Sequence, residues 1–284
     1  MRIAVIGAGK MGTWFARFWK SRNWDVVITD IDIEKARKTA SETGSRIAKT
    51  GQEAVAGADV AMVAVPISRT PDVMKSLAKH MPVRTMIIDL ASAKNEVFEE
   101  LKKMKVNPEL ASLHPLFGPG ASGVKGRTFI SVPVKTGKVY DSFIKELRSA
   151  GAKVVAMTAD DHDRVMAVTQ SLTHFTLLIY LKALKTMKLA KKSEEFQTPL
   201  SQGLANLAMA FLETSPDLQG EIQVKNPYAS IARSAALEAC KSLDIALKAK
   251  DSRSLRKIFE ESKELMGPEK TKKAYKKLYM EDEA

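Results

Sequence analysis

Residues 2–21 read RIAVIGAGKMGTWFARFWKS and are the segment from which the fold class of this chain can be predicted. The run RIAVI is typical of a buried strand, and the residues after Gly12 have the apolar spacing of a helix. Between them stand the glycines of a GxGxxG pattern, which allow a tight turn, close approach of the backbone to a pyrophosphate, and close packing of helix on strand. The stretch therefore predicts a dinucleotide-binding turn, with cofactor contacts from Gly7, Ala8, Gly9, Lys10, Met11 and Gly12.

An acidic residue follows the next predicted strand, as a dinucleotide-binding unit requires. Asp30 ends the segment VVITD, where its carboxylate can accept hydrogen bonds from the ribose hydroxyls of the adenosine. This position favours NAD over NADP. Two alternatives stay open at this point. Asp32 is also in reach of the ribose, and Lys35 and Arg37 are near enough in sequence to meet a 2′-phosphate.

Short β-branched segments alternate with amphipathic segments through the first half of the chain. The predicted strands are RIAVIG, WDVVITD, DVAMVAVP, TMIIDLA, LASLHP, TFISVPV and AKVVAM. This alternation predicts a Rossmann-type, doubly wound α/β domain with a mostly parallel sheet over residues 1–156. The end of DVAMVAVP places Val65 and Pro66 beside the ribose or nicotinamide of the cofactor.

The second half of the chain, residues 157–284, has the pattern of an all-helical domain. Its predicted helices cover about 160–190, 194–213, 226–249, 251–265 and 268–280. Prolines and glycines stand between these segments or near their starts, as helix boundaries require.

The composition is that of a globular protein of 284 residues, with a formal net charge of +12 that attracts anions. Aromatic residues make up only 6% and do not interleave with basic ones, so we expect no nucleic-acid binding. The single cysteine, Cys240, excludes an internal disulfide and a cysteine-based metal site. The sequence has neither a signal-peptide layout nor an apolar run of membrane-spanning length, so we expect a cytoplasmic protein without membrane contact.

Two segments place reactive side chains just after predicted strands, where open α/β sheets bind their ligands. IIDLASAK places Ser92 and Lys94 there, and LASLHPLFGPG places His114 at the next strand end. A histidine can take the proton of a substrate hydroxyl while hydride leaves the same carbon. Ser92 would bind the same hydroxyl or orient the imidazole. The alternatives are a histidine that only caps its strand and a serine that caps the helix after it.

The segment DDHDRVMAVTQSLTHF opens the helical domain. On a straight helix Gln170 and His174 share one face, whereas His162 and His174 point about 120° apart. We therefore expect no metal site from these residues, since no third ligand shares their face.

Together, GAGKMG, DLASAK, LHPLFGP and HDRVMAVTQSLTHF resemble the prephenate dehydrogenase family of tyrosine biosynthesis, over most of the chain. The resemblance implies an oxidoreductase that decarboxylates prephenate to 4-hydroxyphenylpyruvate and passes hydride to NAD. It implies that His114 deprotonates the ring 4-hydroxyl and that Ser92 supports that hydrogen bond. It also implies that His174 and Gln170 line the substrate pocket, and that the helical domain forms a homodimer.

One departure concerns the substrate carboxylate. The family commonly has an arginine in the helix matching LANLAMAFLETSPDL, and this stretch contains neither arginine nor lysine. The candidate anchors are Arg233, Arg127, Lys125, Lys225 and Lys94. Because the anchor is unassigned, arogenate stays open as the substrate.

Two further interpretations remain beside the family's reaction. One is another two-domain hydroxyacid or imine enzyme, which LHPLFGP disfavours. The other is a regulator that binds a dinucleotide without turnover, which the presence of both Ser92 and His114 disfavours.

Overall fold

The computed structural model describes residues 1–188 and 190–280 and divides them into two compact units. The sheet unit comprises residues 1–166 and 224–227, and the helical unit comprises residues 167–223 and those from Tyr228 onward. The first unit thus continues past the predicted boundary at residue 156. The extra residues form a helix that carries buried polar side chains of the sheet unit, His162 and Asp163.

The described residues form a sheet of eight strands in the order β3-β2-β1-β4-β5-β6-β7-β8. Neighbouring strands are parallel except β6 and β7, which are antiparallel. This confirms the predicted mostly parallel α/β sheet. The strands are β1 (Arg2–Ile6), β2 (Asp25–Thr29), β3 (Arg46–Ile47), β4 (Val60–Val63), β5 (Met86–Asp89), β6 (Glu109–Pro115), β7 (Thr128–Lys135) and β8 (Lys153–Ala156). The sequence pattern did not predict β3, which has only two residues.

Helices connect these strands. They are α1 (Lys10–Ser21), α2 (Ile33–Thr43), α3 (Gly51–Val55), α4 (Thr70–Ala78), α5 (Asn95–Lys102), α6 (Lys138–Ser149) and α7 (Ala159–Met166), with a 3₁₀ turn at Ile67–Arg69. The order of parallel strands and crossover helices is that of a doubly wound fold.

The rest of the described chain is helical, as predicted. It comprises a π-helix (Ala167–Leu172), α8 (Thr173–Met187), α9 (Ala190–Ser193), a 3₁₀ turn (Glu194–Phe196), α10 (Pro199–Leu212), α11 (Pro216–Lys225), α12 (Ala229–Lys248), α13 (Ser252–Met266) and α14 (Pro268–Met280). The single helix predicted over 160–190 is wrong, because the π-helix interrupts it, and α11 was not predicted. Among the described helices, none combines the length and apolar character needed to cross a lipid bilayer.

An aromatic cluster joins α1 to the rest of the sheet unit. Trp19 is fully buried and contacts Trp24 and Phe143, with ring centroids 4.2 and 5.1 Å away. Trp14 packs against Phe117 at 5.0 Å, and its indole N–H donates to the carbonyl of residue 121 over 2.6 Å. Helix α1 therefore holds the loop that follows β6.

Candidate active site

The glycine turn after β1 has the close packing that its sequence predicts. Gly7 has φ +108°, and a Cβ there would lie 2.3 Å from the carbonyl oxygen of Ala64. A Cβ on Gly12 would lie 1.9 Å from the carbonyl oxygen of Gly7. Both positions therefore require glycine for the fold alone. Val65 borders the turn, since its Cγ1 lies 3.3 Å from the same Gly7 Cβ position, and Pro66 follows it on the surface.

Gly9 is different, because within residues 1–188 and 190–280 no heavy atom beyond its two chain neighbours lies within 4 Å of the position its Cβ would take. It is the N-cap of α1, and no side chain caps that end of the helix. Ala8 precedes it, and Lys10 and Met11 form the first turn of the helix. An uncapped helix N-terminus with an open face suits a pyrophosphate.

Asp30 lies directly after β2, and the backbone fixes both of its oxygens. The Ala8 N–H donates to Oδ2 over 2.6 Å, and the Asp32 N–H donates to Oδ1 over 2.9 Å. Asp32 itself caps α2 by accepting from two backbone N–H groups. Lys35 lies 3.6 Å from Asp32, and Arg37 lies 3.1 Å from Glu34. The carboxylate of Asp30 thus stands beside the glycine turn, and Lys35 and Arg37 are each paired with an acidic side chain of α2 or its cap.

His114 lies near the end of β6, opposite Ile130 of β7, and is buried. Its Nδ1 lies 2.8 Å from Nε2 of His162. Burial away from water holds the pKa of His114 well below its usual 6.5, and the neighbouring His162 and Lys94 lower it further. The imidazole is therefore neutral at physiological pH and can accept a proton.

His162 and Asp163 were not predicted as part of this site. Both are fully buried, and the two rings of His162 and His114 come together across 48 residues of sequence. Nδ1 of His162 lies 2.8 Å from Oδ1 of Asp163. Burial lowers the pKa of His162, although Asp163 opposes this effect. The signal available in the sequence was the adjacent pair of polar residues, His162 and Asp163, near the start of the predicted helix over 160–190.

Lys94 is fully buried beneath the strand ends. Its Nζ donates to Oδ1 of Asp89 over 3.2 Å, to Oγ of Ser112 over 2.6 Å and to the carbonyl of Leu113 over 3.1 Å. Burial lowers its pKa, and the carboxylates of Asp89 and Asp163 oppose that shift. This geometry contradicts the prediction that Lys94 binds the substrate carboxylate, because its three ammonium hydrogens already have acceptors.

Ser92 is half-buried on the loop between β5 and α5. Helix α5 begins at Asn95, and the carboxylate of Asp163 accepts from the N–H groups of Lys94 and Asn95 over 2.8 and 2.9 Å. The alternative interpretation of Ser92 as the helix cap is therefore wrong. The serine lies on the loop that follows β5, the strand next to the one that carries His114.

Gln170, His174 and Arg233 lie in the helical unit. Oε1 of Gln170, in the π-helix, and Nδ1 of His174, in the first turn of α8, are buried without a hydrogen-bond partner among the described residues. Burial lowers the pKa of His174, whose ring lies 5.1 Å from that of Phe211. Nη1 of Arg233 donates to the carbonyl and to Oε1 of Gln223 over 2.8 and 3.1 Å.

The other candidate anchors lie in the sheet unit. Lys225 pairs with Glu96 over 3.0 Å, and Nε of Arg127 donates to the carbonyl of Gly123 over 3.1 Å. Lys125 is exposed. Within residues 1–188 and 190–280, no group of three His, Cys, Asp or Glu side chains could hold a metal ion.

Two family models match this chain. "Prephenate dehydrogenase, nucleotide-binding domain" matches residues 15–135, and "Prephenate dehydrogenase, dimerization domain" matches residues 158–261. The two matches together cover most of both units.

The chain is also similar to named relatives. It is 29% identical to a probable arogenate/prephenate dehydrogenase of Methanocaldococcus jannaschii over 97% of this chain, and it spans 63% of that protein's length. It is 28% identical to the 4-amino-4-deoxyprephenate dehydrogenase of Streptomyces pristinaespiralis, over 93% of this chain and 90% of that protein. Prephenate dehydrogenase from A. aeolicus, solved with hydroxyphenyl propionate and NAD⁺, has the same fold, with a TM-score of 0.75 and 19% identity over 93% of this chain and 96% of that one.

Proposed function

Because the chain belongs to the prephenate dehydrogenase family, we propose that it oxidatively decarboxylates prephenate to 4-hydroxyphenylpyruvate with NAD as the hydride acceptor. The observation that carries this proposal is His114. It is a neutral, buried imidazole at the ligand edge of the sheet, on the third strand from the one that leads into the glycine turn. Arogenate, which differs from prephenate in its side-chain amine, is the alternative substrate.

NAD fits the residues of the sheet unit. The open space at Gly9 and the uncapped start of α1 suit the pyrophosphate. The Asp30 carboxylate would accept from the ribose hydroxyls and would repel a 2′-phosphate, while Lys35 and Arg37 are already paired with acids. When bound, the nicotinamide supplies the acceptor for the hydride from C4 of the substrate ring.

The chain's own residues handle the proton. As the C4–H bond gives its electron pair away as hydride, Nε2 of His114 takes the proton of the 4-hydroxyl, and C4 becomes a carbonyl carbon. The bond between C1 and the ring carboxylate then breaks, carbon dioxide leaves, and the electron pair stays in the ring. The ring becomes aromatic, and the proton on His114 returns to the phenolate oxygen. Ser92 would hold the same oxygen in place.

Three residues of the helical unit are our candidates for the rest of the substrate. Gln170 and His174 each have a buried polar atom without a partner in the described chain, which is a reason to expect a ligand there. Arg233 is the candidate for the carboxylate, because arginine pairs with carboxylates in a bidentate way and residues 204–218 contain no basic side chain. Replacement of Arg233 by Ala should raise KM more than it lowers kcat.

A homodimer is the assembly that we propose. The matching family model describes the second domain as a dimerization domain. In α10, Ala208 is the buried residue, while Leu200, Leu207 and Leu212 are each at least 60% exposed. A surface helix with this many exposed leucines favours burial against a second chain.

The test is the absorbance of the reduced cofactor, NADH or NADPH. Prephenate, arogenate and 4-amino-4-deoxyprephenate are each assayed with NAD and with NADP. Turnover of prephenate with NAD, and its loss in His114→Asn, is the expected result. A preference for arogenate or for the 4-amino compound would assign the substrate differently within the same chemistry. Binding of NAD without turnover of any of the three would contradict the proposal and favour a dinucleotide-binding regulator.

A further inference from the structure

The candidate base, His114, is the first of three buried side chains that are joined by hydrogen bonds. His114 contacts His162, and His162 contacts Asp163, over 2.8 Å each. All three side chains belong to the sheet unit, and at most 3% of any of them is exposed. In a neutral imidazole one ring nitrogen carries a hydrogen and the other accepts one. The hydrogen-bond partners of the carboxylate therefore determine which nitrogen of each histidine carries the hydrogen.

Asp163 is the acceptor at the far end. Oδ1 accepts from the Lys94 N–H over 2.8 Å, and Oδ2 accepts from the Asn95 N–H and side-chain amide over 2.9 and 3.0 Å. Both oxygens thus accept hydrogen bonds from amide N–H groups, which can act only as donors. Nδ1 of His162, at 2.8 Å from Oδ1, must therefore carry a hydrogen and donate it.

The position of the hydrogen on His162 then determines the position of the hydrogen on His114. A neutral imidazole with a hydrogen on Nδ1 has a lone pair on Nε2, so Nε2 of His162 is an acceptor. Its partner, Nδ1 of His114, is consequently the donor. This leaves Nε2 of His114 without a hydrogen, which is the form that accepts a proton from a hydroxyl. Burial lowers the pKa of both histidines, which keeps both rings neutral.

We propose that His162 is a positioning residue that fixes His114 in the tautomer with an unprotonated Nε2, and that Asp163 fixes His162 in turn. The catalytic use of this tautomer rests on the proposed function, whereas the tautomer itself does not. The backbone around the carboxylate is held as well, because the side-chain amide of Asn226 donates to the Asp163 carbonyl over 2.8 Å.

Nuclear magnetic resonance of the full chain with ¹⁵N-labelled histidine tests the tautomer directly. The sequence has four histidines, and single substitutions assign them. We expect His114 and His162 each to carry the hydrogen on Nδ1. His80→Asn, at an exposed position, is the matched control and should leave both signals unchanged. A hydrogen on Nε2 of His114 in the unsubstituted protein would overturn the proposal, and this result needs no variant to fold.

Two variants test the role of His162. In His162→Gln the amide oxygen can take the place of Nε2 as acceptor, so the His114 tautomer and kcat should be kept, the latter within about threefold. In His162→Leu no acceptor remains, so the tautomer is no longer fixed and kcat should fall about 10- to 100-fold, with NAD affinity and KM unchanged. Equal kcat values in the two variants would overturn the proposal.

The failure of this inference and the failure of the proposed function give different results. A hydrogen on Nδ1 of His114 without turnover of any substrate contradicts the proposed function and supports the tautomer. Turnover of prephenate with the hydrogen on Nε2 supports the function and overturns the role of His162.

Discussion

The buried surroundings of His114 have a measurable consequence at the scale of a single residue. Its pKa lies well below 6.5, because the ring is removed from water and faces His162 and the Lys94 ammonium. A general base is active when it is unprotonated. Because its pKa is lowered, His114 stays unprotonated, and can act as a base, at more acidic pH than an ordinary histidine.

The first prediction is the pH dependence of kcat/KM. Because His114 stays neutral down to a pH well below 6.5, kcat/KM should stay level through pH 6.5 and fall only at lower pH, as the ring protonates. The titratable groups that act on the ring are His162, which contacts its Nδ1, and Lys94, whose ammonium lowers its pKa. A steady-state pH profile measures this, and an acid limb at or above 6.5 would contradict it.

The same shift predicts a pH dependence of stability. The folded pKa values of His114, His162 and His174 lie below the unfolded value of 6.5. Below that pH the unfolded chain binds more protons than the folded one, so the free energy of unfolding should decrease as the pH falls from about 7 to 5.5. Urea unfolding at each pH measures it. His114→Asn should make the dependence shallower, and an unchanged slope would argue against the burial of this imidazole.

Substitution of the base itself separates chemistry from binding. His114→Asn should lower kcat about 10²- to 10⁴-fold, because proton transfer is lost, while NAD affinity stays the same because the glycine turn is untouched. Stopped-flow or steady-state rates and NAD titration measure the two effects. Near-normal turnover would remove His114 from the mechanism.

Lys94 is predicted to matter for stability. Lys94→Met leaves the Asp89 carboxylate buried without its cation, which should cost about 3–5 kcal/mol of the free energy of unfolding. The double variant Lys94→Met with Asp89→Asn removes the charge and should recover part of this loss. Denaturant unfolding measures both. If Lys94 instead bound the substrate carboxylate, Lys94→Met would raise KM and leave stability unchanged.

At the scale of elements, the turn between β1 and α1 uses its glycines for two purposes. At Gly7 and Gly12 a side chain would collide with the backbone, whereas at Gly9 it would meet no other group of the described residues. In the described part of the chain, a methyl group at residue 9 therefore enters open space, where it would meet a bound cofactor, and a methyl group at residue 12 meets the carbonyl oxygen of Gly7. The two positions allow folding and binding to be separated.

This contrast gives the prediction for Gly9→Ala and its matched variant Gly12→Ala. Gly9→Ala should fold with unchanged stability and bind NAD at least about tenfold more weakly, because its methyl occupies the space for the pyrophosphate. Gly12→Ala should be destabilised by at least about 1–3 kcal/mol, because backbone must move. Thermal unfolding and NAD titration measure both. Unweakened NAD binding in Gly9→Ala would place the pyrophosphate elsewhere.

At the scale of the whole molecule, the sheet unit and the helical unit differ in how well each covers its apolar residues. The sheet unit buries Trp19, Phe15 and Phe143 completely. In the helical unit, α10 leaves Leu207 63% exposed and Leu212 60% exposed. The uncovered leucines belong to the part of the chain that matches a dimerization domain.

The prediction at this scale is the oligomeric state. The chain should have the mass of two copies in light scattering, and Leu207→Asp should reduce it to one, because a carboxylate on the covered face is costly to bury. Asn206→Asp, at the neighbouring exposed position, adds the same charge and should leave the mass unchanged. A mass of one copy for the unsubstituted chain would contradict the proposed dimer.

Features that depend on residues close together in the chain could be predicted from the amino-acid order. Alternation of apolar segments predicted the strands with more than two residues and the mostly parallel sheet, because strand and helix each bury one periodic set of side chains. The spacing of Gly7, Gly9 and Gly12 predicted the turn, and the segment LASLHP placed His114 at a strand end. These are properties of short stretches, so a single sequence contains them.

Contacts between residues far apart in the chain could not be predicted in this way. His162 lies beside His114 because α7 packs its buried face against the sheet, and Lys94 lies beneath the strand ends because Asp89 and Ser112 on β5 and β6 accept from it. A contact across 48 residues is set by how elements pack, and a charged or polar side chain can be buried only where that packing supplies its partners.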